Sequence, residues 1–235
     1  MSLAGKVVLV AGASSGMGRA TAIAAAAGGA KVALFARREQ ELAALAKQLD
    51  ATFVAGDATD ATQAGRAVLE AVDACGRVDV LVNCVGTNVK QRALTDLSSD
   101  GWRNLISVNL DAAYVLTQAA LPTFRQQQNG LLIHVSSVAA KRPDRSGVGY
   151  QASKAGVAAL AFGTMEEERG NGVRVTVIYP GLTDTALVEQ RPVPPTKEEL
   201  AKALQPEDIA ELCVATMSLP ERAHVSEIVV HPSQL

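Results

Sequence analysis

Tyr150 and Lys154 lie four residues apart in the run Tyr150-Gln151-Ala152-Ser153-Lys154. On a helix this spacing stacks two side chains one turn apart on one face, so an ammonium can approach a phenol. A phenol with a reference pKa of about 10 is a poor base at neutral pH. A fixed cation nearby favours the phenolate and draws it toward the working range for proton transfer. The pair therefore reads as acid/base chemistry, and the plain alternative is a half-buried tyrosine packed on a lysine stem.

A second constellation lies near the N-terminus. The apolar run Val7-Val8-Leu9-Val10-Ala11 suits a buried parallel strand and leads into Gly12-Ala13-Ser14-Ser15-Gly16-Met17-Gly18, after which Arg19-Ala20-Thr21-Ala22-Ile23-Ala24 has helical character. Strand, glycine-rich turn and helix in that order form a pyrophosphate site: glycines allow close backbone approach, and free N–H groups at the positive helix end face the phosphates. The spacing is GxxxGxG, not the GxGxxG of the common dinucleotide fingerprint. By itself a glycine trio also fits a tight turn with close packing.

These residues need elements to position them. Strands are expected at Val7 to Ala11, Lys31 to Ala36, Thr52 to Ala55, Val80 to Asn83, Leu131 to Ser136, Arg174 to Tyr179 and Glu227 to Val230. Helices are expected near Gly16 to Ala27, Arg38 to Leu49, Thr59 to Cys75, Gly101 to Gln127, Tyr150 to Arg169 and Pro206 to Leu219. The alternation predicts an α/β fold: one Rossmann-type doubly wound parallel sheet of about seven strands with helices on both faces, spanning residues 1–235. No internal repeat or low-complexity linker divides the chain.

GxxxGxG followed by YxxxK resembles the short-chain dehydrogenase/reductase family, and the likeness extends over nearly the whole chain. Ser137 stands thirteen positions before Tyr150, where the family has its catalytic serine, and Val108-Asn109 matches the pair that carries its catalytic asparagine. Asp57, with Ala58 beside it, matches the acid that meets the adenine after the third strand. Asn83-Cys84-Val85-Gly86 keeps the first Asn and the Gly of the family's Asn-Asn-Ala-Gly signature. Pro180-Gly181 follows the sixth strand, with Thr183 and Thr185 placed to reach the nicotinamide carboxamide and the phosphates.

The resemblance implies an oxidoreductase in which Tyr150 exchanges a proton with a carbonyl or alcohol oxygen. Ser137 orients that oxygen, Lys154 also holds the nicotinamide ribose, and Asn109 holds a water that links Lys154 to solvent. The phosphate cradle implied comprises Gly12, Ser14, Ser15, Gly16, Met17 and Gly18. Two departures stand out: Ala11 replaces the usual Thr at the head of the glycine motif, and the chain ends in Glu227-Ile228-Val229-Val230-His231-Pro232-Ser233-Gln234-Leu235 where the family commonly has an Asp-Gly-Gly tail.

Cofactor choice is read from the second strand. An NAD-preferring relative places an acid near Ala36 to bind the ribose 2′-OH; here that position is neutral and Arg37 and Arg38 follow. A guanidinium can clamp a 2′-phosphate, so NADP (as NADPH for reduction) is the expected cofactor. Arg37 is the stronger candidate, Arg38 alternatively starts the next helix as a solvated charge, and Ser14 or Ser15 can add a hydroxyl contact.

Composition narrows the remaining classes. A formal charge of -2 with mixed signs shows no basic stripe for nucleic acid. Three cysteines without CxxC spacing argue for a reducing, cytoplasmic setting, and Cys84 reads as a small core residue. The three scattered histidines offer no metal site. Nothing approaches 18 consecutive apolar residues, so no membrane span is expected.

The expected partner is a small carbonyl or alcohol substrate: a ketone, an aldehyde or a 3-oxoacyl group. Its pocket is expected from Asn83 to Asp96, Val138 to Gly149 and Leu182 to Leu204. There Lys90, Arg142, Arg145 and Arg191 either attract a carboxylate or are simply solvated. A homodimer or homotetramer is expected from outer apolar residues Leu105, Val115, Leu116, Leu160 and Phe162. The alternative function is a dinucleotide-binding sensor or scaffold without turnover, for which keeping Ser137, Tyr150, Lys154 and Asn109 together has no chemical reason.

Overall fold

A computed structural model describes residues 2–234. Its strands are β1 (Val7–Ala11), β2 (Lys31–Ala36), β3 (Thr52–Ala55), β4 (Val80–Asn83), β5 (Gly130–Val135), β6 (Val173–Pro180) and β7 (Glu227–Val230). All pair in parallel, in the order β3-β2-β1-β4-β5-β6-β7. The helices are α1 (Gly16–Ala27), α2 (Glu39–Leu49), α3 (Ala61–Cys75), α4 (Ser99–Ile106), α5 (Ala112–Gln127), α6 (Val148–Glu168), α7 (Lys197–Lys202) and α8 (Pro206–Met217).

Successive strand side chains point to opposite faces, and β1 shows what that does to a continuous apolar run. Leu9 and Ala11 enter one core with residues of α3, α5 and α6, while Val8 and Val10 enter a second core with residues of α1, α2 and α8. Both faces of β1 are thus covered, which is why the run has no polar alternation. Each fully buried Val or Leu contributes roughly 1.5–3 kcal/mol, so the central strands fix the sheet. The chain reverses its winding direction between β1 and β4, and there the carboxyl ends of the strands open a crevice.

Strand expectations hold to within a residue at either end; the long helix does not. Its expected span, Gly101 to Gln127, is α4 and α5 joined by one π-helical turn over Ser107–Asp111. Helix α7 was not expected, although its N-terminus is set by a reciprocal capping pair, with Thr196 and Glu199 each accepting from the other's backbone N–H. The expected outer apolar face also needs correction: Leu105 and Leu116 are fully buried within the chain, while Val115, Leu160 and Phe162 are only partly exposed. The large side chains that α4 and α5 present to solvent are Trp102 and Tyr114. The unusual tail seats on the site edge, where Gly181 N donates to Val230 O at 2.8 Å; Leu235 lies outside the described residues.

Candidate active site

Two cavities meet at the carboxyl edge of the sheet, and Tyr150 lines both. The larger, about 450 Å³, is floored by the turn after β1 and walled by Ala36, Arg37 and Arg38 after β2, Asp57 and Ala58 after β3, and Val85 and Gly86 after β4. The smaller, about 100 Å³, is lined by Ser137, Pro180, Gly181, Thr183 and Thr185 with side chains of the surrounding loops.

The glycine turn is shaped by contact distances. A Cβ on Gly18 would lie 2.3 Å from Gly12 O, and one on Gly12 (φ +80°) would lie 2.9 Å from Cys84 C, so both positions need hydrogen. The first intrahelical bond of α1 at this end is Arg19 N to Ser15 O, leaving the N–H groups of Gly16, Met17 and Gly18 facing the cleft at the positive helix end. This cradle suits a pyrophosphate, and the elongated cleft suits a dinucleotide. Arg38 is held at its edge by two bonds to Ser14 Oγ, from Nε at 3.2 Å and Nη2 at 3.0 Å. Arg37, favoured from sequence, makes no such bond.

The residues expected to do chemistry converge on Gly86. A Cβ there would lie 3.1 Å from Lys154 Nζ and 3.4 Å from Asn109 Oδ1. Asn109 lies in the π turn, where its amide accepts from Thr87 N at 2.7 Å and donates to Thr87 O at 3.1 Å and Ser153 Oγ at 2.9 Å. It therefore clamps the segment after β4 to α6. Lys154 Nζ donates to Val135 O at 3.0 Å, and Ser137 and Tyr150 share the wall of the smaller cavity.

Electrostatics correct one expectation. Burial, with the charge of Asp144, pushes the Tyr150 hydroxyl above the ordinary phenol range, and the Ser137 hydroxyl and the charges of Arg191 and Arg92 only partly oppose it. Lys154 does not draw Tyr150 down here. It is itself buried and tied to a carbonyl, and burial lowers its own pKa to about 8.

Other expected residues fall into place unevenly. Asn83 does not line the cleft: its Oδ1 accepts from Val85 N at 2.9 Å and its Nδ2 donates to His134 Nδ1 at 3.2 Å. Thr117 Oγ donates to Ala113 O and so accepts from His134 Nε2, which fixes the tautomer; burial lowers His134 to about 4 and keeps it neutral. Pro180, Gly181 and Thr183 line the smaller cavity and not the dinucleotide cleft, whereas Thr185 borders both. Asp57 lines the cleft and accepts from Thr59 N and Oγ at 2.9 Å, which shapes the turn after β3.

Burial pushes the Cys84 thiol up and takes Cys213 to about 12, so neither offers a thiolate at neutral pH. No group of side chains suited to a metal ion exists among the described residues, and no described helix is long and apolar enough to cross a membrane.

Sequence reasoning missed Thr87, whose backbone Asn109 grips on both sides, and Arg92. Arg92 is a buried arginine of the smaller cavity, only 6% exposed. Nothing in the local sequence separates Arg92 from a solvated loop charge.

Comparison with known proteins agrees with this arrangement. A sequence model described as short chain dehydrogenase matches residues 6–194. An uncharacterized oxidoreductase of Staphylococcus aureus (strain USA300) is 34% identical over 233 residues, covering 98% of each chain. Among solved structures, an alcohol dehydrogenase from the archaeon Thermococcus sibiricus complexed with 5-hydroxy-NADP superposes with a TM-score of 0.88 at 28% identity, covering 98% of this chain and 97% of that one. A metagenomic short-chain oxidoreductase in complex with NADP gives 0.84 at 31% identity over the full length of both chains. Since sequence and structure agree from end to end, the chain belongs to the short-chain dehydrogenase/reductase family and is an oxidoreductase.

Proposed function

We propose that this enzyme interconverts a small carbonyl compound and the corresponding alcohol, with NADP as its cofactor and Tyr150 as the general acid/base. The observation that carries the reading is the position of Tyr150: it borders both the dinucleotide cleft and the smaller cavity, and shares the wall of the latter with Ser137. A nicotinamide dinucleotide, when bound, supplies or takes up a hydride at the substrate carbon.

The chain's own residues handle the oxygen and its proton. In reduction Tyr150 gives its phenolic proton to the developing alkoxide while Ser137 holds that oxygen, and in oxidation the transfers reverse. A neutral tyrosine is the right form for the acid role, and burial favours it. Lys154 presents donors to the ribose edge of the cleft and, by way of that edge, returns the proton that Tyr150 gives up. Asn109 keeps Lys154 and the backbone after β4 in register, which leaves room at Gly86 for close approach.

The preference for NADP rests on the edge after β2. Ala36 brings no carboxylate, and Arg38, already seated on Ser14, presents a guanidinium where a 2′-phosphate would lie. The NADP complexes of the two structural relatives agree with this reading.

The test follows NADPH absorbance across a panel of small ketones, aldehydes and 3-oxoacyl compounds. Tyr150→Phe should cut kcat by roughly 10²–10⁴-fold and leave the Kd for NADP within about twofold, since the ring stays and only the proton donor goes. Near-normal turnover by Tyr150→Phe would remove the mechanism. Dinucleotide binding with no turnover of any substrate would favour a sensor.

A further inference from the structure

Arg92 is a buried cation without an ion pair among the described residues. Its Nε donates to Val89 O at 3.0 Å and its Nη2 donates to Gln190 O, while Nη1 has no hydrogen-bond partner among the described residues. No carboxylate of the described residues forms an ion pair with it. The arginines that are paired, such as Arg77 and Arg125, are about half exposed, so the deepest guanidinium is the one left alone. Burying a charge is costly unless a partner completes its hydrogen bonds.

A second guanidinium lines the same cavity. Arg191 makes no side-chain hydrogen bond or ion pair among the described residues, and its charge acts on both Arg92 and Tyr150. The one carboxylate in the lining, Asp144, accepts from Ser146 N at 2.8 Å and from the Ser146 hydroxyl, and its charge acts on Arg92 without forming an ion pair. Among the described residues the cavity therefore has two guanidinium groups against one carboxylate, a net positive charge, with the Tyr150 and Ser137 hydroxyls in its wall. Like charges gathered beside a buried hydroxyl are unfavourable without an anion between them and suit one with it.

Resting on the carbonyl site proposed above, we infer that Arg92 and Arg191 form a carboxylate-binding subsite, so that the substrate is a small oxo acid and its hydroxy acid. The volume, about 100 Å³, favours a carboxylate on a short chain over a phosphate ester or a long acyl group. Arg92 does the positioning: its two backbone bonds fix the guanidinium plane, and the free Nη1 edge is what the ligand meets. The other basic loop residues do not take part. Lys90 and Arg145 line an outer groove with Arg92, and Arg142 lines neither this cavity nor that groove.

The competing role for Arg92 is a tie between the segments at Val89 and Gln190. Matched substrates separate the two. Acetoacetate, 2-oxobutanoate and 4-oxopentanoate are compared with their methyl esters at saturating NADPH. At least one acid should exceed its ester by about tenfold or more in kcat/KM, the size expected of charge-assisted hydrogen bonds. Arg92→Gln and Arg191→Gln should each lower kcat/KM for the acid and bring the acid-to-ester ratio toward one. A purely structural Arg92 would lower acid and ester alike, and that result overturns the inference.

If no pair is turned over, the reading of the reaction fails first, and calorimetric binding to the enzyme–NADP complex decides the subsite separately. An acid bound about tenfold more tightly than its ester retains it. Equal binding, or none, removes it.

Discussion

The dinucleotide cleft and the smaller cavity share Tyr150 but are built from different material. The cleft is made of strand ends and backbone: Gly12 and Gly18 are fixed by contacts that leave no room for a side chain, and the start of α1 lines it with N–H groups that bond no carbonyl of the helix. The cavity is made of side chains on connecting segments, with Arg92, Asp144, Leu187 and Arg191 meeting from separate stretches of the chain. Backbone geometry carried by the sheet holds one shape across many sequences, whereas loop side chains change without disturbing the core. The first region therefore speaks to the shared cofactor, and the second to what distinguishes this enzyme from its relatives.

Lys154 gives the sharpest way to break that division, because it lines the cleft alone while the chemistry proposed for it runs through Tyr150, which lines both regions. Lys154→Ala should lower kcat roughly 10³-fold and weaken NADP binding as well, whereas Tyr150→Phe should spare binding. Measured Kd values for NADP decide the matter: equal affinity in the two variants would mean that Lys154 belongs to the proton-transfer side alone.

The same lysine should show its cost in stability. Its pKa falls from 10.5 to about 8 on burial, so the folded protein binds the proton less well than the unfolded chain does. The penalty is complete below about pH 8 and disappears as pH rises toward 10.5. Lys154→Met should therefore be more stable than the parent at pH 7 by on the order of 3 kcal/mol, narrowing through that interval. Urea unfolding of both proteins from pH 7 to 10.5 checks it, and a constant gap would show that the ammonium is not desolvated in solution.

The smallest effect concerns the edge after β2. Arg38→Leu should reduce the NADPH-to-NADH ratio of kcat/KM by about tenfold, and Arg37→Leu by less, because only Arg38 is seated on Ser14. Ala36→Asp added to Arg38→Leu should move the ratio further toward NADH. Carbonyl KM should stay nearly constant throughout. A larger loss from Arg37→Leu would reverse the ranking drawn from the Ser14 contact.

The contrast between the regions also explains what was legible in the sequence. Continuous apolar runs such as Val7–Ala11 located the strands because both faces of the sheet are covered, and the glycine turn was legible because its constraint is steric. Tyr150 and Lys154 were found by their spacing, Ser137 and Asn109 through the family resemblance, and the structure brings them to one corner. Their electrostatics were not legible, since burial, a tertiary property, outweighs the neighbouring charge at Tyr150.

Leu105 and Leu116 were misassigned to an outer surface for a related reason: a helix pattern shows that an apolar stripe exists but not what covers it. Arg92 went unnoticed because an arginine in a loop is ordinarily solvated, and only the fold shows it buried. The signal for α7 was present in Thr196 and Glu199, spaced as a capping pair, and was overlooked among the prolines.

The π turn at Ser107–Asp111 has a consequence for how this chain can change length. Each residue of a helix advances the azimuth by about 100°, and a π turn is a local widening found mostly at functional sites. A π turn takes about one residue more than an α turn for the same rotation, so it absorbs an extra residue while the stripe from Ala112 and Ala113 through Leu116 and Ala120 to Phe124 keeps facing the sheet. The segment that holds Asn109 against Thr87 and Ser153 thus also sets the rotational phase of α5. Losing one residue at the turn would therefore restore a regular helix with α5 still facing the sheet, at the expense of the place of Asn109, whereas losing one inside α5 would rotate the rest of that helix by about 100°.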